Sequence, residues 1–534
     1  MLSPAIRKIV DDLTPKVNPK IGHGLAVEQM KKLLAYLDRV ARVAFATKPA
    51  GFEYTGIRVV APWQELSIIT QKKPGRRVFD LAVKDLYLIE LNFTWNGIPQ
   101  PPRYIQIPFA RDGTIVIING SLYTIGMVLS DPIVSISPSS VFVKLLKAKL
   151  TFRRTPYGYY EHTAQGLNRV SVPVVHSEIY NRQIPSKSSV RAKSTLVHYL
   201  LCKYGFEKTF AMFCGDIPVL GYQEINREKY PENEWVILEG IPGKIRGMVV
   251  SRPIRMAVRL ESYTQQMKYF ISGFFYIAEY FSNRILLDHV NNPSLWAQLL
   301  GMIIWSPDVS VSKLLADVRE HMDSLDEYLD AWVQEKLRDE GYYCDDLYGL
   351  FGLIIHNYDQ WVLAADETAS SCYGKELNVL YYVCYDITSS LFKLYFKLKA
   401  AGRELNERRV QALMASTLRM GAAFQLHRTH GEVQGFSYSG SNKLLRATCL
   451  MVPQAQSNKR TRSPRGDGNN PDRRRDASLA EVGQYIAIPK SDPSGRARVN
   501  PCVEFDSSGK IIPREELKEL MRLTQLDIGR RNNL

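Results

Sequence analysis

The hydrophobic positions change period along the chain. In "AVEQMKKLLAYLDRVARVAF" (26–45), Met30, Leu33, Leu34, Leu37, Val40 and Val43 recur at three and four, the stripe of an amphipathic helix. From 55 onward the runs shorten to strand length and fill with Val, Ile, Tyr and Thr: "GIRVVAP", "LSIITQ", "VFDLAVKDLYLIELNFTW", "RYIQIPF", "TIVIING", "SLYTIGMVLS" and "VFVKLLKAKLTFRR". Breaks such as "WNGIPQPP" and "ARDG" separate them, which predicts an antiparallel β region over 55–180. "TFRRTPYGYYEHTAQGLNRVSVPVVH" adds two strands around a Gly-bearing turn.

Helical periodicity takes over from 190 to 435. It is carried by "KSTLVHYLLCKYGF", "ESYTQQMKYFISGFFYIAEYFSNRILL", "PSLWAQLLGMIIW", "SVSKLLADVREHMDSLDEYLDAWVQEKLRDEG", "ELNVLYYVCYDITSSLFKLYFKLKAAG" and "NERRVQALMASTLRMGAAFQLH". A β insert, "NEWVILEGIPGKIRGMVV" (233–250), interrupts the series. Beyond 435 periodicity fades and Gly, Pro, Ser, Asn and Arg accumulate. "PREELKELMRL" then predicts a terminal helix, with Pro513 in its first turn and Glu515 and Glu516 at the positive end of its dipole. The pattern predicts a multi-domain α+β protein: 1–54 helical, 55–150 β-rich, 151–384 mixed and helical, 436–510 irregular and basic, 511–534 helical.

With 534 residues the chain exceeds what one core supports, so two to four domains are expected. Its most apolar stretches, 269–281 and 295–305, fall short of the roughly 18 residues of a membrane span. The charged N-terminus argues against a signal peptide. Seven scattered cysteines without a CxxC pair disfavour a disulfide framework and a zinc ribbon, and fit free thiols in a reducing compartment.

Charge redraws the picture. The net charge is +15, and it is unevenly spread: +14 over 1–200, −6 over 201–435 and +7 over 436–534. Two basic ends around an acidic middle fit a polyanion contacted from two places, and equally a subunit assembled with acidic partners.

Motifs for stand-alone catalysis are absent from the sequence. There is no GxxxxGK[ST], no GxGxxG after a strand, no GxSxG and no HExxH. The adjacent carboxylates Asp345 and Asp346 point apart on a helix, and a solvated acidic face fits them better than Mg²⁺. His427 and His430 in "HRTH" have no further ligand at metal spacing. No catalytic residue, metal ligand or cofactor is therefore assigned to the chain.

What stands out is basic residues in irregular chain. Lys459, Arg460, Arg462, Arg465, Arg473, Arg474 and Arg475 are spaced by Gly, Pro and Asn, too little apolar area to offset ordering, so a mobile and salt-sensitive phosphate contact is expected. "KSDPSGRARVNP" (490–501) differs. Lys490, Arg496 and Arg498 sit among turn formers beside Val499 and Val503, a rigid basic loop at the edge of a packed module. Arg446 joins this candidate nucleic-acid set. "TFRRTPYGYYEH" places Arg153 and Arg154 beside Tyr157, Tyr159 and Tyr160, either a stacking platform or, more in keeping with strand alternation, a packed β face.

At "QIPFARDGTIVIINGSLYTIGMVL" (106–129) the chain resembles the β, or second-largest, subunit of multisubunit DNA-dependent RNA polymerases, through Ile107-Pro108, Gly113-Thr114 and Ile117-Ile118-Asn119-Gly120. "LKAKLTFRRTPYGYYEHTAQGLNRVSVPVVHSEIYN" and "TLVHYLLCKYGF" follow in family order. "CYGKELNVLYYVCYDITSSLFKLYFKLKA" (372–400) is similar to a further family element, with Tyr373, Gly374, Lys375 and Leu377 in register and then Leu391, Phe392, Leu394 and Phe396. Gly495-Arg496 and Pro501 look like its "GRICPIETPEG" segment. The "SQLHRSPGV" continuation is replaced by "GMVLSDPIVSISP", and "ETPEG" by "CVEFDSSG".

The resemblance implies the N-terminal piece of a split β subunit, as in giant (phiKZ-like) bacteriophages. It implies a protrusion-like part at 55–150 completed by 385–450, a lobe-like part at 151–384 and a fork-loop-like region at 436–510. It also implies the partners: a C-terminal β piece, β′-like chains, DNA template and nascent RNA, with no membrane. Mg²⁺ would be held by another subunit, and the place of work would be the cytoplasm of the infected bacterium, with packaging in the virion left open. The rival from another class is a non-catalytic DNA-binding virion or packaging protein.

Overall fold

The computed structural model describes residues 18–19, 25–71, 85–109, 115–118, 121–125, 127–137, 140–145, 149–177, 194–222, 225–245, 248–249, 253–281, 283–305, 309–326, 328–368, 372–373, 375–378, 381–419, 433–435, 449–451, 478, 482, 496–500, 502–506 and 509–513. The chain forms two compact units, one of residues 1–132 with 370–534 and one of residues 133–369. The first holds 44 Lys/Arg against 27 Asp/Glu and the second 25 against 27, so the whole positive excess belongs to the first.

In the first unit the helix Leu25–Ala44 buries Leu33, Leu37, Val40, Ala41 and Ala44, the stripe that the periodicity predicts. It packs beside the strand Phe52–Val59 and against the helix Tyr381–Ala401, which returns from the far end of the chain. Phe52–Val59 pairs antiparallel with Leu86–Trp95, from Phe52↔Trp95 to Val59↔Ile89 across a bulge at Tyr54/Gly56. Leu86–Trp95 is central, with Arg103–Pro108 on its other side, and it buries Leu88, Ile89, Leu91 and Phe93. Phe93 stacks on Phe52 at 5.1 Å and takes Phe45 edge-on at 5.7 Å. At the polar edge Arg58 forks onto Glu90 at 3.0 and 2.7 Å. Arg103 donates through Nε and Nη2 to the Leu418 carbonyl at 3.3 and 2.9 Å, closing the end of the helix Glu407–Thr417. Burial of that guanidinium lowers its pKa.

Three expectations change here. "LSIITQ" lies in the helix Pro62–Gln71, not in a strand. Pro62 at its first position and Glu65 in its first turn start a helix that outweighs the β-branched isoleucines. "ELN" is the strand Glu376–Asn378 ahead of the Tyr381–Ala401 helix, because strand partners from elsewhere in the chain take up its backbone groups. Ile511–Ile512 is a strand paired with Glu504–Phe505 where the terminal helix was expected to begin; residues 514–534 lie outside the described residues.

The second unit is built on two larger antiparallel sheets, a two-stranded one at Lys244–Ile245 and Met248–Val249, and a set of helices around one core. The four-stranded sheet joins Val134–Ser137, Ser140–Lys144, Lys149–Thr155 and Val174–Ser177. The five-stranded sheet runs in the order Gly166–Ser171, Gly158–Thr163, Trp235–Glu239, Arg255–Arg259, Val219–Gly221. Tyr159, Val236, Leu238, Met256 and Val258 line its inner face against Phe275 and its neighbours on the helix Gln265–Phe281. Strands from 134 to 155 therefore belong to this unit rather than to the β-rich block before it, since their buried faces serve this core. The helices Leu196–Tyr204 and Gln265–Phe281 approach closely at Gly273, where a Cβ would lie 2.5 Å from Val197 Cγ2. The helical periodicity of "SVSKLLADVREHMDSLDEYLDAWVQEKLRDEG" is carried by two helices, Val311–Asp326 and Ala331–Asp339.

Candidate nucleic-acid interface

The site is assembled from the backbone outward. Arg496–Arg498 is a strand, and it pairs antiparallel with Cys449–Met451 as Arg498↔Cys449, Ala497↔Leu450 and Arg496↔Met451. Cys449–Met451 in turn runs parallel to Met127–Ser130, with Leu450 beside Met127. Met127–Ser130 pairs antiparallel with Glu376–Asn378, from Ser130↔Glu376 to Val128↔Asn378. Four short segments, distant in sequence, thus form one sheet in the order 376–378, 127–130, 449–451, 496–498. By the period of two along a strand, positions 496 and 498 fall on the same face and 497 on the other.

Both ends of this sheet are tied down. Beyond Glu376–Asn378, the Leu377 N–H donates to the Gly509 carbonyl at 2.8 Å and the Ile511 N–H to the Lys375 carbonyl at 2.9 Å. Lys375 Nζ pairs with Asp131 Oδ1 at 3.1 Å. The Cys372 N–H donates to Ser478 Oγ at 2.8 Å. Beyond Arg498, Val499 and Val503 are buried, and the Asn500 N–H donates to the Val482 carbonyl at 2.7 Å. Asn500 Oδ1 then accepts the Cys502 N–H at 3.0 Å, fixing the turn. What the sequence reads as a rigid loop at 496–498 is a strand, at the edge of its sheet among the described residues, followed by a buried anchor. The apolar Val499 and Val503 were the legible part of that anchor. Asp131, Ser478 and Val482 were missed, because their signal is a long-range pairing.

Arg446, Lys459, Arg460, Arg462, Arg465, Arg473, Arg474, Arg475 and Lys490 lie outside the described residues, as do His427 and His430. Arg154 does not front a stacking platform. It pairs with Asp359 at 3.1 Å, and Asp359 also accepts the Tyr269 hydroxyl. Tyr159 is fully buried, its ring against Phe275 and its hydroxyl 2.9 Å from that of Tyr263. Tyr157 meets Tyr276 edge-on, and burial drives its phenol pKa up. These tyrosines are a packed β face. Asp346 caps the helix Leu347–Thr368, accepting the Gly349 N–H at 2.6 Å and the Tyr204 hydroxyl at 3.3 Å. Among the described residues no three His, Cys, Asp or Glu side chains come together as metal ligands. Among them, too, no helix is long and apolar enough to cross a membrane.

The sheet thus gathers distant segments of an α+β chain, and the positive charge of the molecule lies in the same unit. The chain matches the family model of the non-virion RNA polymerase subunit over residues 2–515, and it belongs to that family. No curated protein matches it. The chain is thus a subunit of a phage RNA polymerase, one of several chains in a complex that works in the infected host cell.

Proposed function

We propose that the chain is the N-terminal piece of a split β subunit and that the sheet ending in Arg496–Arg498 faces nucleic acid in the assembled enzyme. One observation carries the reading. Three of the segments similar to the β family, 106–129, 372–400 and 490–501, each contribute a strand to the same four-stranded sheet, while those at 146–181 and 195–206 lie in the second unit. Segments that resemble a family in order along the chain and also converge in space behave as one structural element. The concentration of positive charge in the first unit supports a polyanion on that side.

In this reading the first unit is protrusion-like and fork-like and the second is lobe-like. Arg496 and Arg498 contact phosphates, joined by Arg446, Lys490 and the 459–475 cluster. The chain supplies no proton carrier and no metal ligand; Mg²⁺ and the catalytic carboxylates belong to a β′-like partner, and the remaining β residues to a C-terminal β piece. DNA template and nascent RNA are the ligands.

Co-expression with the products of neighbouring reading frames tests it. The purified complex is expected to synthesise RNA on a DNA template, and the complex without this chain is expected to be inactive. A reading frame that continues the β pattern is expected among the partners. A stable homo-oligomer that recruits no such partners would overturn the proposal.

A further inference from the structure

The strand Gly166–Ser171 forms one edge of the five-stranded sheet in the second unit, and it is exposed at every position except the half-buried Val170. Its only strand partner among the described residues is Gly158–Thr163, in unbroken register from Thr163↔Gly166 to Gly158↔Ser171. The turn between them has two residues, 164–165, so Thr163↔Gly166 is a hydrogen-bonded pair. Bonded pairs then alternate through Glu161↔Asn168 and Tyr159↔Val170, and the Val172 N–H continues the series onto the Tyr157 carbonyl at 3.0 Å. The peptide N–H and C=O groups of Leu167, Arg169 and Ser171 therefore point away from the sheet.

Such an edge is a template for another strand, and proteins ordinarily blunt it with proline, a bulge or inward charge. Here the register has no bulge and the strand no proline. Leu167 is 54% exposed, and Arg169 is an exposed cation that enters none of the ion pairs of the described residues. Tyr160 and His162, cross-strand from Arg169 and Leu167, extend the same face inward. An extended segment laid along this edge would find alternate backbone donors and acceptors, an apolar contact at Leu167 and a cation at Arg169.

We propose that an extended segment of another polymerase subunit adds as a sixth strand along Gly166–Ser171, with an acidic side chain opposite Arg169. The family supplies the class of partner, a protein chain of the same complex. The Arg169 guanidinium, in no ion pair among the described residues, supplies its charge. This inference rests on membership of the polymerase family and not on the nucleic-acid reading of Arg496 and Arg498, so the failure of either leaves the other standing.

Two proline variants test it in the co-expressed complex. Arg169→Pro removes an outward N–H and spares the hairpin, whereas Asn168→Pro removes an N–H donated to Glu161 within it. The Arg169→Pro chain is expected to unfold at the wild-type temperature yet lose about tenfold in affinity for its partner, one hydrogen bond and a displaced contact. Asn168→Pro is expected to lower the unfolding temperature as well. Arg169→Glu is expected to match Arg169→Pro in the binding assay. A photo-crosslinking residue at position 169 is expected to capture a different subunit. Unchanged assembly of Arg169→Pro with the thermal stability retained would overturn the proposal, as would a crosslink to a second copy of this chain or to DNA.

Discussion

Lys375 Nζ lies 3.1 Å from Asp131 Oδ1, joining the segment that opens the Glu376–Asn378 strand to the residue just after the Met127–Ser130 strand. The lysine side chain is 17% exposed and the aspartate 40%, so the pair is partly withdrawn from water. Ser130 Oγ donates to the Glu376 carbonyl at 3.4 Å alongside it. The chain leaves the first unit after Pro132 and returns at 370, and this contact fastens the departing strand to the returning one.

Breaking that fastening is expected to weaken the first unit without unfolding it. Lys375→Met should cost about 1–2 kcal/mol in urea unfolding of the full chain, because Asp131 loses a charged partner. A double-mutant cycle with Asp131→Asn should return a coupling of about 0.5–1 kcal/mol. Strictly additive effects would show that the pair contributes through packing alone.

The edge strand carries the second prediction. Replacing Arg496 and Arg498 with Ala should impair transcription by the assembled enzyme more than deleting 460–472. If each arginine meets one phosphate, the double variant should reduce the slope of log affinity against log salt by about 2. DNA binding measured across a salt series reads that slope, and the opposite ranking of the two variants would reverse the roles given to the two basic segments.

Acid should destabilise the second unit through two histidines. His198 is fully buried with Nε2 2.9 Å from the Trp296 carbonyl, and burial holds its pKa down to about 4. His321, with Nε2 3.1 Å from the Tyr199 hydroxyl, is likewise pushed down to about 4 by burial. Both stay neutral in the fold and take up protons once unfolded. Stability is therefore full above pH 6.5, the ordinary value, and is lost as pH falls toward 4. The loss approaches about 3 kcal/mol per histidine. Thermal unfolding between pH 7 and 5 should show it, and His321→Gln should remove about one proton from the dependence.

Gly273 offers a packing test. Alanine would raise helix propensity by about 1 kcal/mol, yet its Cβ would sit 2.5 Å from Val197 Cγ2. Val197 is β-branched and 3% exposed, so it cannot swing aside. Net destabilisation of about 1–3 kcal/mol is expected by denaturant unfolding. Gly273→Ala with Val197→Ala should recover part of it.

Local signals suffice where the segment decides its own state. The stripe of Leu33, Leu37 and Val40 buries as the helix period requires, and the Tyr157–Tyr160 alternation gives a packed hairpin. Local signals mislead where distant chain decides. "ELN" continues a helical pattern but is held as a strand by Met127–Ser130 on one side and Gly509 on the other. "RAR" looks like loop because three residues have no periodicity, and only pairing with Cys449–Met451 makes it a strand.

The α+β class, the helical and β-rich stretches, the clustering of positive charge and the order of the segments that resemble the β family are all legible in the residues alone. These follow from side-chain chemistry and from patterns within about twenty residues, which is the reach of helix and hairpin periodicity. That 127–130, 376–378, 449–451 and 496–498 form one sheet, and that 133–369 is inserted as a unit of its own, emerges only from the folded chain. Short strands carry too little local information to choose a partner. Their backbone hydrogen bonds are satisfied only by segments far along the chain, and burial of a shared core selects which ones meet.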